Sequence, residues 1–102
     1  MIYKYEGPFP YNHPTVNNWN ASAIGVYYCG YVDVRGAHFS HYIGRAAGGD
    51  GIRGRLLDHL RENHWPDVTH FMYRLCSTEA ETIALEEAEI QRCKPKYNIQ
   101  GI

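Results

Sequence analysis

Ile24-Gly25-Val26-Tyr27-Tyr28-Cys29-Gly30-Tyr31-Val32-Asp33-Val34 runs into Arg35-Gly36-Ala37 and then into His38-Phe39-Ser40-His41-Tyr42-Ile43-Gly44. β-Branched and aromatic side chains fill the first run, and Arg35-Gly36 is turn-prone. The second run alternates Phe39, His41 and Ile43 against His38, Ser40 and Tyr42. This pattern predicts two antiparallel strands joined as a hairpin.

Downstream, five glycines between Gly44 and Gly54 mark a strand-to-helix connection that needs backbone freedom. Ile52, Leu56 and Leu60 then recur at i, i+4 and i+8, which predicts a short amphipathic helix closed by Asn63 and Pro66. His70 to Cys76 alternates Phe71, Tyr73 and Leu75 with Met72, Arg74 and Cys76 and reads as a third strand. Thr78-x-x-Glu81 is a capping box that opens a second helix, which runs to about Cys93 and stops before Pro95. Upstream, residues 1–20 hold Pro8, Pro10, Pro14 and four Asn with no sustained period, so an irregular arm is expected there. The expected fold is α/β (α+β) in the order β-β-α-β-α, with the arm over 1–20 and the domain over 21–102.

A chain of 102 residues with 44% hydrophobic residues can bury one core but not two. A large substrate must therefore meet a surface groove. The longest apolar stretch, Ala23 to Val32, is broken by two glycines and falls short of the roughly 20 residues that cross a bilayer. No membrane contact is expected. The first residues hold no apolar run of the secretory kind, and Cys29, Cys76 and Cys93 are isolated and odd in number. Free thiols in the cytoplasm are the expectation.

The net charge of −1 conceals an uneven distribution. Arg35 to Arg61 carries five Arg against Asp50 and Asp58, a local balance of +3, whereas Ser77 to Cys93 carries five Glu against Arg92, or −4. One stretch suits a polyanion and the other a cation, although mixed-charge solvated helix faces give the same counts.

Several chemistries are excluded by motif. Gly44 to Gly51 lacks the Gly-Lys-Ser/Thr ending of a phosphate-binding loop, and no GxSxG elbow presents a nucleophile. His38 and His41 fall on opposite faces of a strand and cannot easily share a zinc ion. Arg55 and His59 are more informative, since i, i+4 spacing puts them on one helix face, about 100° from the apolar stripe. A guanidinium there could fork onto a phosphate with imidazole support, and Arg53 serves almost as well by spacing. In the last helix Ala80, Ile83, Ala84, Ala88 and Ile90 define an apolar side, with Glu87 near its middle and Glu86 at its edge. Either carboxylate could hold a divalent cation or join a salt bridge, and helical geometry does not choose between them. Tyr27 and Tyr42, on the two hairpin strands, could converge near the glycine loop.

Together these residues resemble the GIY-YIG nuclease family. Gly25-Val26-Tyr27 stands for its first motif, with Val for Ile, and Tyr42-Ile43-Gly44 for its second. Arg55-Leu56-Leu57-Asp58-His59 is similar to its arginine helix. Leu85-Glu86-x-x-Glu89-Ile90 with Pro95-Lys96-Tyr97-Asn98 is similar to its glutamate helix and the segment that closes it. The resemblance spans residues 24 to 98 and leaves residues 1–20 without a counterpart. It implies a small three-stranded antiparallel sheet flanked by helices, with the first strand central. The implied activity is metal-dependent endonucleolytic hydrolysis of DNA phosphodiester bonds, in repair, recombination or mobile-element processes. Glu86, placed by its distance from Pro95, would hold Mg²⁺ or Mn²⁺. Arg55 would clamp the scissile phosphate, with Arg53 as the alternative because the glycine connection is long. Tyr27 would activate or position water, Tyr42 would hydrogen-bond at the phosphate, and His59 would support the site. Gly44, Arg45 and Arg53 would line the substrate path, and Asn98 would hold the glutamate helix and the sheet in register.

With a net charge of −1 and no appended zinc finger, a structure-specific substrate or a DNA-binding partner protein is expected, as is a monomer or weak dimer. RNA stays open as a substrate. The alternative is a catalytically inactive nucleic-acid-binding or partner-recruiting module of the same fold.

Overall fold

The computed structural model describes residues 1–19, 23–63 and 65–99. Its strands are β1 (Ile2–Pro10), β2 (Gly25–Val32), β3 (His38–Ala46) and β4 (His70–Cys76). They form one antiparallel sheet in the order β1-β4-β2-β3. The helices are α1 (His13–Asn17), α2 (Gly51–Glu62), α3 (Glu79–Cys93) and α4 (Lys96–Ile99). No helix among the described residues is long and apolar enough to cross a membrane.

The sheet therefore has four strands where three were expected, and the extra one comes from the segment read as an irregular arm. β1 pairs with β4 from Ile2↔Cys76 to Pro10↔His70, with register shifts between Ile2 and Tyr5 and between Glu6 and Phe9. Those two shifts erase the period-2 signal. Proline is tolerated because β1 is an outer strand whose free edge needs no ladder N–H. Phe9 lies against Phe71 and Tyr73 of β4, with ring centroids 5.6 and 5.8 Å away. After β1, the Asn12 side chain accepts the Thr15 N–H at 3.0 Å and caps α1, which buries Val16.

β2 is flanked by β3 and β4, and every residue from Gly25 to Gly30 is buried. Tyr27 and Cys29 pack with Val16, Ile52, Leu56, Trp65 and Phe71 on the α2 side. Val26 and Tyr28 pack with Ile43 on the other side, against Leu85 and Ile90 of α3. The three cysteines are free, with Cys29 and Cys76 buried and Cys93 half-buried.

The alternation expected along β3 breaks at His41. Cys29 pairs with Tyr42 but Gly30 pairs with Ser40, so His41 is an extra residue in the ladder. As a result Tyr42 projects to the same side as Phe39 and His41. Tyr42 meets Trp65 and His59, while Ile43 packs with Val26 and Tyr28.

Both long helices start and stop where local chemistry dictates. Asn63 takes the left-handed conformation after α2 and donates its N–H to the His59 carbonyl at 2.9 Å. Thr78 and Glu81 form both bonds of the capping box before α3, and Lys94 closes it in the left-handed region. The buried side of α3 differs from the expected one. Ala80, Ile83, Ala84, Glu87 and Ala88 are exposed, whereas Thr82 and Glu89 are buried. Glu89 can go inside because its carboxylate accepts from Tyr28 at 2.9 Å, from Arg92 at 2.6 Å and from the Tyr5 hydroxyl. A helical wheel weighted by hydrophobicity places such a glutamate outside.

Burial opposes the Glu89 charge, but hydrogen bonds from Arg92, Tyr5 and Tyr28 outweigh it and hold the carboxyl at about 2. A depressed folded-state pKa contributes stability that is present above the unfolded value, near 4.5, and is lost as pH falls toward 2. Glu89→Gln should therefore cost on the order of 2 kcal/mol at neutral pH and flatten the loss of stability between about pH 4.5 and 2, read by urea unfolding across that range.

Candidate functional site

β3 is an outer strand, α2 covers one face of the sheet and α3 the other. Side chains from all three elements can therefore meet at the β3 edge. An open groove of about 750 Å³ lies there, lined by Tyr42 and Arg45 of β3, by Arg55, Asp58 and Arg61 of α2, and by Glu86 of α3. The glycine-rich connection closes one end.

Tyr27 and His59 sit immediately behind this lining. The Tyr27 hydroxyl is 3.0 Å from His59 Nε2, and Tyr42 is edge-on to the same imidazole with centroids 5.3 Å apart. Burial pushes the Tyr27 phenol well above its ordinary pKa, with neighbouring Tyr42 and Cys29 adding to the rise and Arg55 opposing it. Tyr42 is raised by burial as well, against the pull of Arg55. Arg55 interacts foremost with Tyr27, then with Tyr42 and Asp58, all of which reinforce its charge.

Gly44 is required by close approach. A Cβ at this position would lie 2.4 Å from the Tyr27 hydroxyl and 2.5 Å from its ring carbon, so the Tyr42-Ile43-Gly44 run leaves room for the phenol of the neighbouring strand. Gly25 has the same role against the next strand, since its Cβ would fall 2.1 Å from the Arg74 carbonyl oxygen.

Glu86 is half-buried, and its Oε1 lies 3.4 Å from Arg45 Nε. Burial raises its carboxyl above the usual range, with Arg45 pulling it down, Glu87 pushing it up and Arg55 pulling it down. Asp58 is held by Arg61 at 2.9 Å. Among the described residues no three His, Cys, Asp or Glu side chains converge as a metal-holding group. A single carboxylate suits Mg²⁺, which keeps several waters and takes further oxygens from a phosphate.

Of the residues singled out in the sequence, Tyr42, Arg45, Arg55 and Glu86 line the groove, Tyr27 and His59 back it, and Gly44 underlies it. Glu87 is exposed. Arg53 does not line the groove, and its Nε is buried without a hydrogen-bond partner. Asn98 reaches the strand edge itself. It accepts the Ile43 N–H at 2.8 Å and donates to the Ile43 carbonyl at 2.9 Å, occupying β3 where a further strand would pair. Sequence reasoning passed over Asp58 and Arg61, although both lie within two turns of Arg55 on α2. It also missed Trp65, whose ring lies tilted against those of His59 and Tyr42, with centroids 4.3 and 4.6 Å away, and which has no local sequence signal.

No family model matches the chain, and no curated protein does.

Two measurements test this geometry. Arg45→Met removes the nearest cation from Glu86, so the Glu86 carboxyl should titrate at a higher pH than in the wild type, followed by carboxyl-carbon NMR. Gly44→Ala should destabilise the protein by about 1–3 kcal/mol in denaturant unfolding, because the Tyr27 ring must be displaced from a packed core.

Proposed function

We propose that the protein is a metal-dependent endonuclease of the GIY-YIG kind that hydrolyses DNA phosphodiester bonds. The observation that carries this reading is the convergence of Tyr42, Arg55 and Glu86 on one groove, with Tyr27 and His59 bonded directly behind them. Four separate elements supply a phosphate clamp, a carboxylate and two phenols, which is the set an in-line displacement at phosphorus needs.

In this reading the Arg55 guanidinium binds non-bridging oxygens of the scissile phosphate and stabilises the charge that grows there. Tyr42 donates a hydrogen bond to the same phosphate. Tyr27 holds the attacking water, and its hydroxyl proton can pass to His59 Nε2, so the raised phenol acts as a relay rather than as a standing phenolate. The water oxygen bonds to phosphorus as the bond to the 3′ oxygen breaks, and the 3′ oxygen takes a proton from solvent in the open groove, leaving a 5′ phosphate and a 3′ hydroxyl. Glu86 would hold the Mg²⁺ or Mn²⁺, which supplies charge neutralisation at the phosphate and the leaving oxygen when bound. Arg45 offers a further contact to the backbone once it leaves Glu86.

The groove sets Arg45, Arg55 and Arg61 against Asp50, Asp58 and Glu86, so it offers little net positive charge for unspecific binding. That balance favours a substrate selected by structure, or delivery by a DNA-binding partner, in repair, recombination or mobile-element processes. The free thiols suit a reducing compartment, which supports a cytoplasmic setting for this activity.

Nicking of supercoiled plasmid and of branched oligonucleotides with Mg²⁺ or Mn²⁺ tests the reading. Glu86→Ala and Arg55→Ala should each lower the cleavage rate by about a hundredfold or more, with the fold retained by circular dichroism. Cleavage unchanged in both variants would remove the assignment. DNA binding without any cleavage by the wild type would transfer it to an inactive recruiting module.

A further inference from the structure

Tyr31 of β2 and Phe39 of β3 form the outer end of a line of rings that leads to the groove. Both are exposed, at 38% and 44%, and they stack on each other with centroids 5.3 Å apart and planes at 21°. Tyr31 lies 5.0 Å from His41, and His41 lies 5.9 Å from Tyr97. Tyr97 stacks on Trp65 at 6.0 Å, and Trp65 reaches Tyr42 at the groove wall. The line depends on the bulge in β3, which turns His41 and Tyr42 to the same side as Phe39.

We propose that the exposed outer end of this line, Tyr31 and Phe39, is a stacking platform for unpaired nucleotides, with the buried Trp65 serving to fix its position relative to the groove, so that the preferred substrate is a duplex carrying a single-stranded arm that leaves the groove along β3. This rests on the nuclease reading and names its substrate class. Each base offers a flat π-face, and exposed rings spaced along a backbone path recognise such faces without regard to sequence. The charges along the path are compatible with a phosphate backbone. The Asp67 carboxylate beside the line is taken up by Lys96, by the Tyr97 hydroxyl at 2.6 Å and by His41 at 3.5 Å. Arg35, at the tip of the hairpin, is 84% exposed and only 3.7 Å-paired with Asp33. A second copy of the chain or a peptide strand cannot extend the sheet past this point. Asn98 holds both polar groups of Ile43, and the bulge breaks the ladder beside it. The rings, and not the strand edge, are what the surface offers.

The test is fluorescence anisotropy in EDTA, where binding is read without cleavage. The probes are a blunt duplex and the same duplex with an oligothymidine arm. The wild type should bind the armed duplex about tenfold or more tightly than the blunt one. The double variant Tyr31→Leu/Phe39→Leu keeps apolar bulk but removes both rings, and it should lose that preference. Phe39→Trp, which enlarges the stacking face, should retain it. Equal affinity for the two probes in the wild type, or a preference that survives in a folded double variant, would overturn the platform while leaving plasmid nicking and its dependence on Glu86 and Arg55 intact. Absence of both binding and nicking would instead remove the nuclease reading and the platform with it. A wild-type dimer in sedimentation that the double variant dissociates would overturn the platform in favour of self-association.

Discussion

β2 has no face toward water from Gly25 to Gly30, and the remaining elements are arranged to keep it so. A strand buried on both sides needs a cover on each, which α2 with α1 and Trp65 supply on one side and α3 on the other. Because β3 is the outer strand next to β2, the two layers come within reach of each other at its edge. Arg55 and Glu86 meet across that edge although they belong to opposite faces of the sheet. Tyr27, from β2 itself, then lies behind the groove wall, fully buried and bonded to His59.

The same constraint explains the electrostatics. Burial raises the Tyr27 and Tyr42 phenols and the Glu86 carboxyl, and in each case Arg55 opposes the rise. One guanidinium thus acts on all three groups, with Arg45 the stronger partner of Glu86. Glu89 shows the opposite balance one turn further along α3, where hydrogen bonds overcome burial and the carboxylate stays charged. Two glutamates three residues apart on one helix therefore have opposite shifts, set by what the sheet presents to each.

The parts of the fold legible in the sequence were those written in local chemistry. The hairpin, the capping box at Thr78, the helix end at Asn63 and the third strand at His70 each announce themselves within a few residues. Tyr42, Arg55 and Glu86 could be gathered from motif order, Arg55 by its i, i+4 spacing with His59 and Glu86 by its distance from Pro95, although strand spacing alone gave Tyr42 the wrong companions. What was hidden depended on partners distant in the chain. β1 lost its alternation to two register shifts, and only β4 reveals it as a strand. The buried side of α3 cannot be read from its own residues, because Glu89 is satisfied by Tyr5 and Tyr28, which come from strands 61 or more residues away. The bulge at His41 has no mark in composition, yet it decides which way Tyr42 points.

The sheet order has a consequence for how the chain reaches this structure. β1 is the first strand in sequence but pairs with β4, the last, so Ile2 must find Cys76 across most of the molecule. Loops of that length close slowly, and folds dominated by such pairings reach the native state later than those built from neighbours. The hairpin of β2 and β3 is local and can form early, whereas β1 stays unpaired until residues 70–76 are in place. During that interval the Tyr3, Tyr5 and Phe9 rings and the open edge of β4 are available to other chains, so the fate of a newly made molecule depends on how quickly its first strand is captured.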